Sequence, residues 1–334
     1  MMSITDKTGT FARLGEGPKM TETARRQLLL TVMPIGVLVV LVAAISIANP
    51  AFLRPGSLWT ALDSSIPLLI LAAGAMLVIL CGGIDLSIAA MASMASVFTA
   101  LWLPHLGGWT VLLVILACAS AGALQGAIHV IGQVPSFLVT LGGMAVWSGV
   151  GLLASGASTI GISVNTLDWT FTRIGDWRVP SAVLIGAGLV VVFALVMGLT
   201  PVRRWLIAIG SSEPSALLAG VPVLQTKVVA FAVSGACAGF AGVMLVGRTY
   251  SGAPALADSL LLPVVAAIVV GGTAITGGFG GIGRVVIGVL IITVLRVGLS
   301  VAGVPSSYEQ IFYGLLVILA VALTIDRSKL PFVK

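Results

Sequence analysis

Between Leu68 and Leu103 the chain is almost wholly apolar, and its one charge there is Asp85, preceded by Gly82-Gly83 and followed by Ser87. A carboxylate facing lipid at a helix centre costs roughly 3 kcal/mol or more, so Asp85 is expected to face water, a cavity or the free amides of a helix end. Paired glycines allow a sharp turn or a close backbone approach. Irregular backbone of this kind is tolerated at membrane depth where protein or a water-filled path surrounds it. Two roles fit Asp85: gating or helix-end capping beside a permeation path, and direct contact with a solute.

Other chemistry is scarce. Gly278-Phe279-Gly280-Gly281-Ile282-Gly283 has the form G-x-G-x-x-G, but a dinucleotide site needs that form inside a βαβ unit with an acid about 20 residues on. Here apolar spans flank it and no acid stands at that place, so a compact turn is expected. The sequence contains no G-x-x-x-x-G-K-[ST] string and so no phosphate loop of that type. His105 and His129 are too few and too separated for a metal site or a triad. Cys81, Cys118 and Cys237 lie in apolar stretches without metal or disulfide spacing and read as small buried hydrophobes. No catalytic residue, no metal and no cofactor is expected on this chain.

The elements that must position these residues are membrane helices. Of 334 residues 58% are hydrophobic and 8% charged, with mean hydropathy +1.17, whereas a soluble domain carries about 25% charged residues. The expected fold is all-α and polytopic. An apolar run of about 20 residues spans a bilayer. Ten such spans are expected, at 28–48, 65–81, 87–103, 109–131, 135–155, 180–200, 227–247, 260–276, 282–300 and 309–325, the eighth short enough to be re-entrant or broken. Residues 1–27 form a polar, basic arm in which no cleavable signal peptide is expected.

The formal charge of +6 is explained by topology rather than by nucleic acid. With a cytoplasmic N-terminus, twelve basic residues lie inside: five in the arm, then Arg203, Arg204, Lys227, Arg284, Arg327, Lys329 and Lys334. Only Arg54, Arg173, Arg178 and Arg248 lie outside, and Arg296 falls within a span. That asymmetry favours an even number of spans with both ends cytoplasmic.

Two connections are long. The outer one, 155–180, holds Asn165, Asp168, Trp169, Asp176 and Trp177, whose aromatics suit either interface anchors or a docking surface. In the inner one, 201–227, Ser212 can cap a short helix starting near Glu213-Pro214, and Gly220 suits its end. Such a helix along the cytoplasmic face is a lever for a soluble partner. Ser234, Gly235, Ala238, Gly239 and Gly242 in one span, and Gly142-Gly143 in another, point to close helix packing, with clearance for a solute as the other reading. Arg296, about one turn from the outer end of its span, either snorkels to the interface or makes a polar contact in an outward cavity.

These strings resemble a known family. Gly82–Ser87 (GGIDLS) is similar to the hallmark of permease subunits of ribose/xylose/autoinducer-2-type ATP-binding cassette sugar importers. Arg204, Ala208-Ile209-Gly210, Ala216, Gly220-Val221, Val223 and Lys227 resemble that family's cytoplasmic coupling segment. Ser234-Gly235 through Gly242, Gly271-Gly272-Thr273, Gly277-Gly278, Gly298-Leu299, Gly303-Val304 and Gln310 follow its order, so that the likeness covers 30–326. The chain departs from the pattern at Ala89, Val297 and Ser300, positions expected near the outer mouth, and the sugar is left open.

The resemblance implies a permease domain over 28–326, a cytoplasmic tail over 327–334 and a place in a bacterial inner membrane. It further implies a second permease chain (identical or a paralogue), a periplasmic sugar-binding protein and a cytoplasmic ATPase that holds ATP and Mg. Gly82, Gly83, Asp85, Ser87, Ser93, Thr273, Arg296 and Ser300 are the expected pathway or gate residues. Arg204, Ser212, Glu213, Ala216, Gly220 and Lys227 are the expected coupling segment. The competing class is an ion-coupled secondary transporter of a small polar solute. That class usually needs several intramembrane ionisable groups, and Asp85 and Arg296 are the two candidates.

Overall fold

The computed structural model describes residues 22–163 and 165–324. Most of the basic arm and the 327–334 tail lie outside the described residues. The structure is a helical bundle: α1 Glu22–Ala48, α2 Pro55–Leu80, α3 Ile88–Leu106, α4 Trp109–Ile131, α5 Ser136–Ser155, α6 Ser181–Leu199, α7 Val202–Ser211, α8 Glu213–Leu218, α9 Val223–Thr249, α10 Leu261–Val270, α11 Ile282–Val301 and α12 Glu309–Thr324. Two antiparallel two-residue pairings, Ile160-Gly161 with Ser251-Gly252 and Arg173-Ile174 with Val179-Pro180, tie the long loops at one end.

Seven of these helices (α2–α6, α9 and α11) are long and apolar enough to cross a membrane. At the places of the other three expected spans stand shorter apolar helices, Val32–Ala48 within α1, Asp258–Val270 and Ser306–Ala322. The helix α2 is the axis of the bundle. Every residue from Ser65 to Leu80 is buried, and α3, α6, α9, α10 and α11 pack around it. By contrast α4, α5 and α6 bury one side only and expose rows of leucine and valine to the surroundings.

Four local expectations change. The helix α2 begins at Pro55, ten residues before the expected span edge at 65, because proline suits its first turn and Asp63, at the polar end, pairs with Arg248 of α9 at 3.8 Å. The inner connection holds two helices rather than one, α7 and α8. The helix α9 begins at Val223, ahead of the expected span edge at 227. And α10 stops at Val270, after about 15 Å, leaving 271–281 as irregular backbone.

Small residues set the tightest crossing. Gly122 of α4 faces Gly235 of α9, while Gly126 lies against Val228 and Phe231 and Gly239 against Ile115 and Cys118; a Cβ on Gly122 would collide with the Phe231 carbonyl, and one on Gly235 with that of Cys118.

Candidate functional site

The site begins where α2 ends. Gly82 N–H donates to Ile79 O at 2.9 Å and Gly83 N–H to Val78 O at 2.9 Å, the paired bonds of a Schellman C-cap. That geometry needs a left-handed residue at Gly82, and its φ is +80°. The chain is thereby turned, and Asp85 enters the interior just ahead of α3.

Asp85 is 6% exposed, and both its oxygens are engaged. Ser87 gives Oδ1 a backbone N–H at 3.0 Å and its hydroxyl at 2.7 Å, and Ser234 of α9 gives Oδ2 its hydroxyl at 2.7 Å. Ser87 Oγ also lies 3.1 Å from Gln125 Oε1 of α4, but it has one proton to give and the nearer carboxylate takes it. Beside this node the Gln125 Nε2 and Trp147 Nε1 donors are buried without partners among the described residues. The carboxylate thus bolts the break between α2 and α3 to α9, within reach of free amides at the start of α3.

A second irregular segment lies against the first. Gly272 N–H donates to Val269 O at 2.9 Å and Thr273 N–H to Ile268 O at 3.1 Å, the same cap as at the end of α2. Arg284 holds the following loop: its Nη1 donates to Gly272 O at 3.3 Å, and its guanidinium lies 4.4 Å from the Phe279 ring centroid. Gly278 N–H then donates to the Leu80 carbonyl of α2 at 3.0 Å. Gly210 of α7 completes the junction, since a Cβ there would collide with Leu80 O and Gly278 N. Three backbones, from α2, α7 and 271–281, meet with no side chain between them.

From Gly210 the chain runs straight into α8. Ser212 Oγ accepts from Ser215 N–H at 3.4 Å, and Pro214 stands in the first turn. Gly220 N–H donates to Leu217 O and Val221 N–H to Ala216 O, both at 3.0 Å, closing the helix with φ +77° at Gly220. Ala216 is buried inward while Leu217 and Leu218 are 64% and 90% exposed. Glu213 and Lys227 form an ion pair at 2.6 Å, at the edge of a cleft of about 450 Å³ that His129, Gln133 and Leu217 also line.

The expected pathway set therefore divides. Gly82, Gly83, Asp85, Ser87 and Thr273 gather at the junction, where Gly82 is exposed and Thr273 is buried with its hydroxyl unpartnered. Ser93 is fully buried on α3. Its hydroxyl donates to Asp258 Oδ1 at 2.7 Å and accepts from Ala257 N–H at 2.9 Å, fastening the approach to α10. Arg296 and Ser300 lie near the far end of α11, whose 20 residues rise about 30 Å. Arg296 Nε lies 3.4 Å from Tyr313 Oη and 3.6 Å from Glu309 Oε2; Ser300 is exposed. Ala89, expected near the outer mouth, is buried in the first turn of α3, at the opposite end from Ser300. In the coupling set, Arg204 is exposed on α7 away from the buried Leu206 and Ile209.

In the sequence Gly278 reads as part of a compact turn and Gly210 as part of the coupling-segment likeness, and neither points to the other or to Leu80. Ser234 reads there as a packing residue, and Gln125, Asp258, Glu309 and Tyr313 stand outside the expected set. A polar residue inside an apolar run was the available signal for Gln125.

Similarity to known proteins accords with this layout. The description "Branched-chain amino acid transport system / permease component" matches residues 57–321. The ribose import permease protein RbsC of Bacillus subtilis (strain 168) is 34% identical over 296 residues, 87% of this chain and 91% of that protein. RbsC of Escherichia coli (strain K12) is 32% identical over 301 residues, covering 87% and 92%. The L-arabinose ABC transporter permease protein AraH of Azospirillum brasilense is 31% identical over 289 residues, covering 85% and 84%. No solved structure matches the chain.

Proposed function

The chain belongs to the branched-chain amino acid transport system / permease component family, and from that premise we infer that it is the membrane-spanning permease subunit of an ATP-binding cassette importer whose cargo is a sugar. The relatives named for ribose and L-arabinose favour a pentose or a compound of that size. An ion-coupled carrier has less support, because the carboxylate of Asp85 is fully bonded within the protein and Arg296 is paired with Glu309.

One observation carries the mechanism: α7, which leads into α8, touches the α2–α3 break and the 271–281 loop backbone to backbone at Gly210, Leu80 and Gly278. A short helix with two exposed leucines is a docking element for a soluble partner, and this one is mechanically continuous with both irregular segments. In our reading a cytoplasmic ATPase, which holds ATP and Mg, receives α8 in a groove. Its closure displaces α8 and α7. The junction passes that motion to Gly82–Ser87 and 271–281, switching the side to which the pathway opens. Glycine contacts suit this task, since two backbones without side chains between them transmit a shift of an ångström with little slack.

The reading includes ten spans with both ends cytoplasmic in a bacterial inner membrane. The seven long helices, α1, α12 and the half-length α10 extended by 271–281 supply that number, and the distribution of basic residues supports the orientation. A second permease chain, identical or a paralogue, closes the pathway, and a periplasmic binding protein delivers the sugar to loops that include 155–180. Mild detergent extraction followed by an ATPase assay on the co-purified material tests the reading. An associated ATPase stimulated by sugar-loaded binding protein is the expected result. A permease without ATPase that takes up solute under an imposed proton gradient would overturn it.

A further inference from the structure

Two donors beside the Asp85 node are unspent, Gln125 Nε2 on α4 and Trp147 Nε1 on α5, although both nitrogens are buried. They meet over Gly143, one turn before Trp147. A Cβ on that glycine would collide with Gln125 Nε2 and would lie 3.4 Å from Trp147 Nε1. Two donors thus face the same small space. At the other side of the amide the mismatch is reversed. Gln125 Oε1 lies 3.1 Å from Ser87 Oγ, whose proton goes to Asp85 Oδ1 at 2.7 Å, so there two acceptors face each other. Buried polar groups are seldom left in either condition.

A side-chain amide has the same outline either way round, and the hydrogen-bond network decides between its two orientations. Turning that of Gln125 about its Cγ–Cδ bond removes both mismatches at once. Its Nε2–H then donates to a lone pair of Ser87 Oγ, and its Oε1 accepts from the Trp147 indole. We propose that Trp147 and Gln125 are positioning residues for the Gly82–Ser87 break, joined in a relay that runs from the indole N–H through the amide and the Ser87 hydroxyl to Asp85. Every donor in the relay points toward the carboxylate, and the Ser234 hydroxyl reaches its other oxygen from α9 at 2.7 Å. Hydrogen bonds aligned head to tail polarise one another, and the last acceptor here carries a full charge. Asp85 is thereby held from α4, α5 and α9 together. Gly143 permits this, since a side chain there would occupy the seat of the amide, whereas a Cβ on the adjacent Gly142 meets nothing within 4 Å. The bonding stands on side-chain geometry; its part in switching the pathway rests on the importer reading above.

Nuclear magnetic resonance of the whole permease, labelled with 15N-tryptophan in detergent micelles, tests the relay. W147F locates the Trp147 indole signal among those of seven tryptophans, and W147Y does so if W147F does not elute as a folded species. A hydrogen-bonded indole proton resonates downfield of a free one. Q125L is expected to move the signal upfield, and S87A, one bond further along the relay, should move it the same way by less. G143A should displace it and G142A should leave it in place. In proteoliposomes with the ATPase and binding protein, W147F should slow maximal uptake about two- to tenfold, the equivalent of one hydrogen bond, with the KM for sugar unchanged. An indole proton already at the free position in the unaltered protein, or one that Q125L leaves where it was, would overturn the relay. So would an S87A shift no larger than that of G142A. A raised KM in W147F with maximal uptake intact would make Trp147 a sugar contact and overturn the positioning role. A permease that transports sugar under ATP without these shifts would lose the relay alone; one that shows them but captures no ATPase would keep the bonding and lose the importer reading.

Discussion

Lys227 Nζ lies 2.6 Å from Glu213 Oε2, joining the first residue of α8 to the second turn of α9, with the lysine side chain 8% exposed and the glutamate 49%. Seven residues along α9 from Lys227 is Ser234, which holds Asp85. One helix therefore ties the exposed α8 to the buried break. Glu213→Lys would set two ammonium groups together and leave the buried Lys227 without its partner. Breaking a fully buried pair costs about 3–5 kcal/mol; half exposure of Glu213 reduces the expected cost to about 1–2 kcal/mol. Such a loss loosens α8 without unfolding the bundle. In proteoliposomes with the ATPase and binding protein, E213K should lower sugar transported per ATP hydrolysed, and E213K/K227E should recover part of it. Normal transport by E213K would remove the case for α8 as the coupling element.

Asp85 accepts three hydrogen bonds, from two serines. An asparagine in its place has one acceptor oxygen and an NH2 group that meets a hydroxyl, so one donor loses its partner in a buried setting. The expected cost of Asp85→Asn is about 2–3 kcal/mol, against about 1 kcal/mol for Ser234→Ala, which removes a single donor. Thermal unfolding in detergent reads both. With ATP held constant, collapse of the proton gradient should leave uptake by the unaltered protein unchanged; an uptake that falls with the gradient would return Asp85 to the role of proton carrier.

The order and approximate limits of the apolar segments were legible because bilayer thickness and hydrophobicity dictate them. So was α8, since Ser212, Pro214 and Gly220 each have one dominant use at a helix end. The helix α7 was not, because Val202–Ser211 is amphipathic, with Arg203 and Arg204 on one face and the buried Leu206 and Ile209 on the other, and a search for wholly apolar runs passes over it. The meeting of Gly210, Leu80 and Gly278 was not legible either. A glycine announces permission for close approach but not its partner, and these three are brought together only by tertiary packing. Arg296 illustrates the same limit from the polar side: a charge one turn from a helix end suggests snorkelling until Glu309 and Tyr313, on another helix, are seen beside it.

The α4–α9 crossing gives a test with an internal control. At Gly122 an added methyl collides with the Phe231 carbonyl, while at Gly142 it meets nothing within 4 Å. Alanine gains up to about 1 kcal/mol over glycine in helix propensity, and overpacking costs about 1–3 kcal/mol. Gly122→Ala is therefore expected to be destabilising, and Gly142→Ala neutral or slightly stabilising. Fluorescence-detected thermal aggregation ranks the two; an unchanged midpoint for Gly122→Ala would mean that the helices separate freely, contrary to a backbone-tight crossing.

Arg296, Tyr313 and Glu309 form a short relay between α11 and α12. Tyr313 Oη donates to Glu309 Oε2 at 2.9 Å and faces Arg296 Nε at 3.4 Å, with the tyrosine 1% exposed. If this relay fastens the two helices, Arg296→Gln leaves a carboxylate that is 18% exposed without its cation, and stability should fall by about 1–3 kcal/mol. Arg296→Gln with Glu309→Gln should cost less than the two single changes together, because each single variant strands a charge that the double variant removes. A snorkelling arginine would make both singles neutral. An arginine that binds sugar would raise the KM for uptake while leaving the unfolding midpoint where it was. The expected pattern is a lowered midpoint, a positive double-variant recovery and an unchanged KM, which together assign Arg296 to holding α12 in place.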